Sequence, residues 1–239
     1  MGSAEKVSWK RVLILAGAII AFTIGSGFAT GQEIIQYYTA YGVKGLLVIL
    51  VFLVAFLYYN FNFAKAGAEQ KFEKGNDVYK HFCGKYVGTF CDYYSTLFCY
   101  MSFFVMVGGS STLHQEYGLP AWVGGVVLTA LAVLTVVGGL NSMVDAIGAV
   151  GPVIVVLCIA IGVITLIRDG GDIGAGLDII KNAAYEGAAN GETIKSAGSN
   201  WLVSGLSYAG FVLLWFASFT AALGSNNKKK ELNYGIIGG

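Results

Sequence analysis

Long apolar segments separated by short polar ones dominate this chain of 239 residues. The apolar segments lie at about residues 12–40, 45–66, 86–109, 120–140, 146–168 and 200–223. Each is about as long as the roughly 20 residues that an α-helix needs to cross a bilayer, or longer. The pattern predicts an all-α fold: a polytopic transmembrane helical bundle that forms one transmembrane domain over residues 1–239, with an outer loop at 169–199.

Positive charges are distributed unevenly between the connections. The amino-terminal tail, the loop after the second span and the segment after the sixth span carry 11 of the 15 Lys and Arg residues. The other four are Lys44, Arg168, Lys181 and Lys195. Because connections rich in Lys and Arg stay on the cytoplasmic side, we predict a multi-pass protein of the cell membrane whose amino terminus is cytoplasmic.

Two connections show helical periodicity. Val78, Phe82 and Tyr86 recur every four residues in the inner loop, and Leu177 and Ile180 begin a similar pattern in the outer loop. This spacing predicts a short helix along the membrane surface in each loop. Plain connectors are the alternative.

The first apolar segment has a glycine-rich interruption near its middle. Glycine weakens a helix, and within a bilayer non-helical backbone is tolerated only where it is buried in protein or lines a cavity. In transporters that cavity holds substrate and ions. We therefore interpret the interruption as one wall of a solute site, formed by Gly25, Ser26, Gly27, Phe28, Ala29 and Thr30.

Glu33 follows this interruption and is unusual as a carboxylate within an apolar span. Thr30 and Glu33 have the T-x-x-E spacing of a capping box, so Glu33 could serve the amino end of an outer half-helix. Ionisable residues within spans are also functional candidates by default. We keep both interpretations, since a capped half-helix also presents free N–H groups and a positive dipole end to an anionic group.

The sixth span contains a second group of small residues. The candidate solute contacts there are Ser207, Tyr208, Ala209, Gly210 and Phe211, with Gly205 just before them. Inverted repeats place interrupted helices at corresponding positions of two halves, so we predict that helices 1 and 6 are both discontinuous. Close helix packing by small residues is the alternative.

The third and fifth spans also contain residues with a possible functional or structural role. Tyr100, near the middle of the third span, is a further candidate solute contact, whereas Asp92 reads as an interfacial acid or one satisfied by a polar partner. Pro152, with Gly148 and Gly151 before it, predicts a kink in the fifth span.

Composition excludes several classes of function. Only 12% of residues are charged and the net charge is +1, which argues against nucleic-acid binding. We find no phosphate-binding loop, no converging Ser/His/Asp or Cys/His set and no CxxC pair among four cysteines. From these residues we therefore predict no enzyme, no cofactor and no metal site, and we interpret the cysteines as packing residues.

The sequence GSGFATGQE at residues 25–33, followed by QYYTAYG at 36–42, resembles the first helix of the YkvI-like bacterial membrane proteins. Residues 101–124 and 141–155 are similar to that family too. These proteins belong to the amino acid–polyamine–organocation superfamily. The resemblance implies the leucine-transporter fold, with ten core helices in two inverted five-helix repeats and substrate held by unwound parts of helices one and six.

In that superfamily sodium, where used, binds between the first-helix break and helix eight. The resemblance therefore implies half of a sodium site here, on backbone carbonyls near Ile24 to Gly27. Sodium or a proton would be the coupling ion, with Glu33 as its side-chain ligand or carrier. The chain stops soon after Lys228–Lys230, and we expect it to be an amino-terminal portion of a protein of ten or more helices.

These expectations combine into one main functional hypothesis and one alternative. The main hypothesis is a secondary active transporter of a small solute, an amino acid or related amine, coupled to a cation by alternating access. The alternative is a non-transporting six-span protein, either a channel or an assembly partner. The lipid bilayer and the solute are the expected partners, and the sequence leaves the oligomeric state open.

Overall fold

The computed structural model describes residues 7–25, 28, 31–110, 117–181 and 195–239, and all regular elements among them are helical. The α-helices are α1 (Trp9–Thr23), α2 (Gly45–Gln70), α3 (Asp77–Ser110), α4 (Ala121–Val137), α5 (Gly139–Asp169), α6 (Ile173–Lys181), α7 (Trp201–Asn226) and α8 (Lys229–Gly238). A π-helical turn (Ile34–Tyr38) and a 3-10 segment (Thr39–Lys44) precede α2, and a 3-10 turn (Gly170–Asp172) precedes α6.

Four helical stretches among the described residues are long and apolar enough to cross a membrane. They are Ile34–Gln70, Asp77–Ser110, Gly139–Asp178 and Trp201–Asn226. α4 is apolar but has only 17 residues. Many large apolar side chains of α5 are exposed, including Val156, Ile161 and Ile167. Water disfavours such a surface whereas lipid accommodates it, so the fold is that of a membrane protein with a bundle of helices.

The first predicted span is not one continuous helix. α1 begins at the N-cap residue Ser8, whose hydroxyl accepts a hydrogen bond from the Arg11 N–H, and ends after 15 residues at Thr23. Ile24 is extended, with φ −83° and ψ 103°. Gly31 has a positive φ of 77°, a conformation that glycine adopts without the Cβ clash that other residues meet. The helix thus ends where the glycine-rich sequence predicts an interruption.

The predicted break in the sixth span is wrong. α7 runs through Gly205 and Gly210 as a 26-residue α-helix. Gly205 is buried against α2, where an added Cβ would lie 2.9 Å from the Cβ of Val51 and 3.2 Å from the carbonyl oxygen of Val48. The small residue therefore serves close helix packing, as in other membrane helix pairs, and the backbone hydrogen bonds of the helix are retained.

The loop after the second predicted span and the loop predicted at 169–199 both contain helix. In α3, Gly84 (φ 73°, ψ 177°) separates a short initial arm that begins at Asp77 from the long apolar part. α6 lies in the loop predicted at 169–199, and its Leu177 and Ile180 are next to Gly42 of the 3-10 segment. Predicted helical positions beyond Lys181 in this loop lie outside the described residues. Pro152 lies inside α5, which continues from Gly139 to Asp169.

The chain divides into two compact units, residues 1–26, 60–152 and 214–239 in the first and residues 27–59 and 153–213 in the second. In the first unit, α1 packs closely on α5 through Gly17, Gly148 and Gly151, since a Cβ at any of these would clash with backbone of the facing helix. Phe22 of α1 stacks on Phe219 of α7 at a centroid distance of 4.0 Å. Glycines thus permit backbone contact, and van der Waals packing stabilises it.

A polar network ties the start of α1 to α8 in the same unit. The buried Glu231 accepts a hydrogen bond from the Ser8 N–H at 2.8 Å. The Arg11 guanidinium donates to the Asn227 side chain at 2.8 Å and also contacts Asp145. The chain after α7 is therefore a packed helix rather than a frayed tail.

The second unit contains the π-helical turn, the first part of α2, α6 and the first part of α7. Its buried positions include Val48 of α2 and Ser204, Tyr208 and Val212 of α7. Ser204 and Tyr208 both contact Tyr37 of the π-helical turn.

Candidate functional site

Glu33 lies at the amino end of the π-helical turn Ile34–Tyr38. A π-helical turn widens the hydrogen-bonded ring by one residue, is rare, and frequently occurs at functional sites. Glu33 is half-buried, and its carboxylate oxygen Oε2 accepts a hydrogen bond from the Tyr208 hydroxyl of α7 at 2.9 Å. The only carboxylate of the π-turn region is thus joined directly to the sixth predicted span.

Aromatic rings surround Tyr208. Ring centroids of Tyr37, Tyr38 and Phe52 lie 4.8, 5.4 and 5.0 Å from that of Tyr208. The ring of Phe211 follows at 6.2 Å. Tyr208 itself is only 2% exposed. We call Glu33, Tyr37, Tyr38, Phe52, Tyr208 and Phe211 the Glu33–Tyr208 cluster.

Side chains and backbone of the same unit support the π-helical turn. The Ser204 hydroxyl of α7 donates to the Tyr37 carbonyl at 2.9 Å, and the Ala197 N–H donates to the Gln36 carbonyl at 3.0 Å. The Tyr41 hydroxyl donates to the Gly198 carbonyl at 2.6 Å and accepts from the Gly198 N–H at 2.9 Å. Backbone carbonyls that a π-turn leaves available thus find partners, which fixes Tyr37 and Tyr38 beside Tyr208.

The described part of the Glu33–Tyr208 cluster contains a carboxylate but no positively charged side chain. No ion pair among the described residues includes Glu33. Tyr37, Tyr38 and Phe52, whose rings pack on Tyr208, carry no positive charge. A carboxylate with a phenol partner and aromatic neighbours is a suitable site for a proton or a small cation.

The structure brings together only some of the predicted site residues. Glu33, Tyr208 and Phe211 meet in the cluster, and Ala209 is buried next to them in the helix. Ser207 and Gly210 are exposed, and Phe28 is half-buried. Tyr100 is 59% exposed and contacts Phe104 of its own helix. Ile24 is extended and Gly25 borders open space, whereas Ser26, Gly27, Ala29 and Thr30 lie outside the described residues.

Sequence reasoning missed Tyr37, Tyr38, Phe52 and Ser204. The sequence does contain a signal for the tyrosines, because the segment QYYTAYG has three of them within five residues and begins three residues after Glu33. Phe52 and Ser204 carry no such signal, since each belongs to an ordinary apolar helix pattern. Only the packing of α7 on the π-turn identifies them.

Asp92 forms a second polar site, in the first unit. The Asn76 side chain donates to its carboxylate at 2.5 Å, and the two residues line an open cleft of about 650 Å³. Glu73, Lys74, Asp77 and Lys80 complete the lining. Asp92 therefore has a polar partner, as one of the two interpretations of the sequence predicts. The cleft contains both acidic and basic side chains, which is typical of a solvated helix end.

Comparison with known proteins finds an uncharacterised bacterial relative. "Uncharacterized protein YyaD" of Bacillus subtilis (strain 168) is 26% identical over 131 residues, which cover 55% of this chain and 36% of that protein. The chain thus matches little more than a third of the relative's length. No protein family and no solved structure matches the chain.

Proposed function

We propose that this protein is a secondary active transporter that moves a small solute, an amino acid or related amine, together with a cation. The observation that supports it is the hydrogen bond between Glu33, which follows the interruption of the first span, and Tyr208 of α7. Ionisable groups within apolar spans are costly and commonly belong to ion or substrate pathways. An interrupted helix next to such a group has the features of a transporter site.

In this proposal Glu33 is the coupling group, and it exchanges a proton or binds sodium. Backbone carbonyls near Ile24 to Gly27 would supply part of a sodium site. Tyr208 and Phe211 would contact the solute from α7, and residues 25–30 would contact it from the interruption. The resemblance of GSGFATGQE to the YkvI-like proteins is consistent with such a transporter. We also propose that the protein lies in the cell membrane with a cytoplasmic amino terminus.

The direct test is uptake by the protein reconstituted in liposomes. Radiolabelled amino acids and amines are offered with and without a sodium gradient or a pH gradient. Glu33→Gln keeps the hydrogen-bonding shape of the side chain but removes its charge, so we expect uptake to lose its dependence on the sodium or pH gradient. Glu69→Gln is the matched control, because Glu69 is 56% exposed and only faces Lys65 at 4.0 Å.

Uptake whose sodium and pH dependence is the same in the Glu33→Gln variant and in the wild type would rule out the coupling role. A loss shared by the Glu69→Gln control would point to a general effect of removing a carboxylate. Protein orientation in the liposomes is checked by protease access to the Lys228–Lys230 segment, which we propose to be cytoplasmic.

A second function is supported by the continuity of α7. A transporter of the proposed kind would have interrupted helices in both halves, whereas α7 is unbroken from Trp201 to Asn226. This observation favours a non-transporting membrane protein, a channel or an assembly partner. Folded, reconstituted protein that accumulates no amino acid or amine against a gradient would support it.

A further inference from the structure

We propose that Glu33 binds a cation, yet its hydrogen-bond partner in the structure is a neutral group. Its observed hydrogen-bond donor, the Tyr208 hydroxyl, is neutral and lies 2.9 Å from Oε2. Among the described residues no Lys, Arg or His side chain forms an ion pair with Glu33. A hydrogen bond between ions of opposite charge is roughly twice as strong as a neutral one, so a positively charged donor would suit this carboxylate better than the phenol does.

The aromatic neighbours strengthen that preference. The rings of Tyr37, Tyr38 and Phe52 have centroids 4.8, 5.4 and 5.0 Å from the centroid of Tyr208. A cation within about 6 Å of a ring centroid is attracted by the negative face of the ring. Tyr37 and Tyr38 also lie within electrostatic range of Glu33, so the carboxylate has aromatic neighbours that can attract an ammonium group.

Tyr208 also fills the space next to Glu33. Its side chain is 2% exposed and is packed between the π-turn and α2. An ammonium group that takes the position of this hydrogen bond at Oε2 must therefore displace the Tyr208 hydroxyl. Because the Tyr208 hydroxyl is a neutral donor, its replacement by an ammonium group gives Glu33 a positively charged donor.

We infer that the Tyr208 hydroxyl is a built-in competitor that occupies the place at Glu33 taken by the ammonium group of a small amine. This inference rests on the proposed role of Glu33 as a cation site. It also narrows the solute class: the site favours amines without a carboxylate. The carboxylate of an amino acid would be repelled by Glu33, and the described part of the cluster has no basic side chain that could bind it.

Removal of the Tyr208 hydroxyl should strengthen amine binding, whereas loss of a binding-site group usually weakens it. Tyr208→Phe keeps the ring and its aromatic contacts but removes the hydroxyl. If the hydroxyl competes with the ligand, its removal tightens amine binding, by about tenfold for one hydrogen bond to a charged group. If the hydroxyl instead holds Glu33 in place for the ligand, the same variant binds more weakly.

Isothermal titration calorimetry of the purified protein in detergent tests this, with methylammonium chloride as the probe. We expect wild type to bind methylammonium, Tyr208→Phe to bind it about tenfold more tightly, and Glu33→Gln not to bind it. Glycine should bind more weakly than methylammonium to all of them. Tyr93→Phe is the matched control and should behave as wild type, because Tyr93 is 74% exposed.

The outcomes separate the two proposals. Unchanged or weaker binding by Tyr208→Phe, with binding lost in Glu33→Gln, overturns the competition while Glu33 remains the cation site. Equal binding by Glu33→Gln and wild type overturns the proposed role of Glu33 itself. Absence of methylammonium binding to both wild type and Tyr208→Phe also overturns the inference.

A second measurement covers the case in which Tyr208→Phe does not fold. The infrared difference spectrum of wild-type protein with and without methylammonium reports the tyrosine C–O stretch, which is sensitive to hydrogen bonding of the hydroxyl. We expect a shift when methylammonium binds, because the Tyr208 hydroxyl loses its carboxylate acceptor. Bound methylammonium with an unshifted band would overturn the competition.

Discussion

The first and sixth predicted spans have similar glycine-rich sequences but different backbones. α1 ends at Thr23, and Ile24 is extended, whereas α7 remains helical through Gly205 and Gly210. Gly25 has open space where a Cβ would be, while Gly205 is pressed against Val51 and the Val48 carbonyl. A glycine that packs against a neighbouring helix supports the helix it belongs to. The comparison indicates that packing of the surroundings, rather than glycine content, decides whether a span is interrupted.

The largest expected effect concerns the helical part of the first span. Gly17→Ala places a Cβ against the Gly148 carbonyl. Because the backbone fixes the position of a Cβ and the carbonyl is itself backbone, the clash cannot be relieved by a side-chain rotation. We expect a loss of about 3 kcal/mol in the free energy of unfolding, the upper part of the usual range for overpacking. Unfolding of the detergent-solubilised protein by SDS measures it. Gly162→Ala, in α5 but with open space around it, should not destabilise; equal losses in both variants would show that the α1–α5 contact is unimportant.

A smaller effect is expected in α7. Gly205→Ala brings a Cβ to 2.9 Å from the Val51 Cβ, so α2 must shift, and we expect a loss of about 2 kcal/mol. Gly210→Ala is the matched control on the same helix, since nothing lies near its missing Cβ. Alanine is the better helix former, by about 1 kcal/mol, so Gly210→Ala should be neutral or stabilising in the same unfolding assay. A destabilised Gly210→Ala protein would show that α7 needs flexibility there after all.

The interruption itself gives the third prediction. Gly31 has φ 77°, and an L-residue in that conformation costs about 1–2 kcal/mol. Gly31→Ala should lower the free energy of unfolding by that amount. Gly25→Ala, at a position without positive φ and with open space, should leave stability unchanged. If the two alanine variants have the same stability, the positive φ of Gly31 is not a constraint on the fold.

The smallest effect concerns the support that α7 gives to the π-turn. Ser204→Ala removes the hydroxyl that bonds the Tyr37 carbonyl at 2.9 Å, which should cost about 1 kcal/mol. Ser207 is exposed three residues later on the same helix, so Ser207→Ala should change nothing measurable. Circular dichroism of the aromatic region provides a second readout, because the Tyr37–Tyr208 pair depends on the π-turn. An unaltered aromatic spectrum in Ser204→Ala would mean that the turn is held by other contacts.

Part of the candidate site could be predicted from particular residues. Glu33 stood out because a carboxylate in an apolar span has few structural explanations, and Tyr208 stood out within a group of small residues in the sixth span. Their hydrogen bond could not be predicted, since it joins residues 175 positions apart in the chain. The π-turn was also beyond reach, because its extra residue per turn depends on the Ser204 hydroxyl and the Ala197 N–H that stabilise its carbonyls.

The pattern of apolar segments was enough to predict that the chain is helical and belongs in a membrane. That follows from local quantities, the length and apolarity of each segment and the cost of leaving backbone groups unpaired in lipid. The tertiary structure alone decided which glycines interrupt a helix, which pack it, and which aromatic rings surround Glu33. These features depend on what lies opposite a residue in space, and a neighbour such as Val51 or Phe52 has no signature in the segment that it contacts.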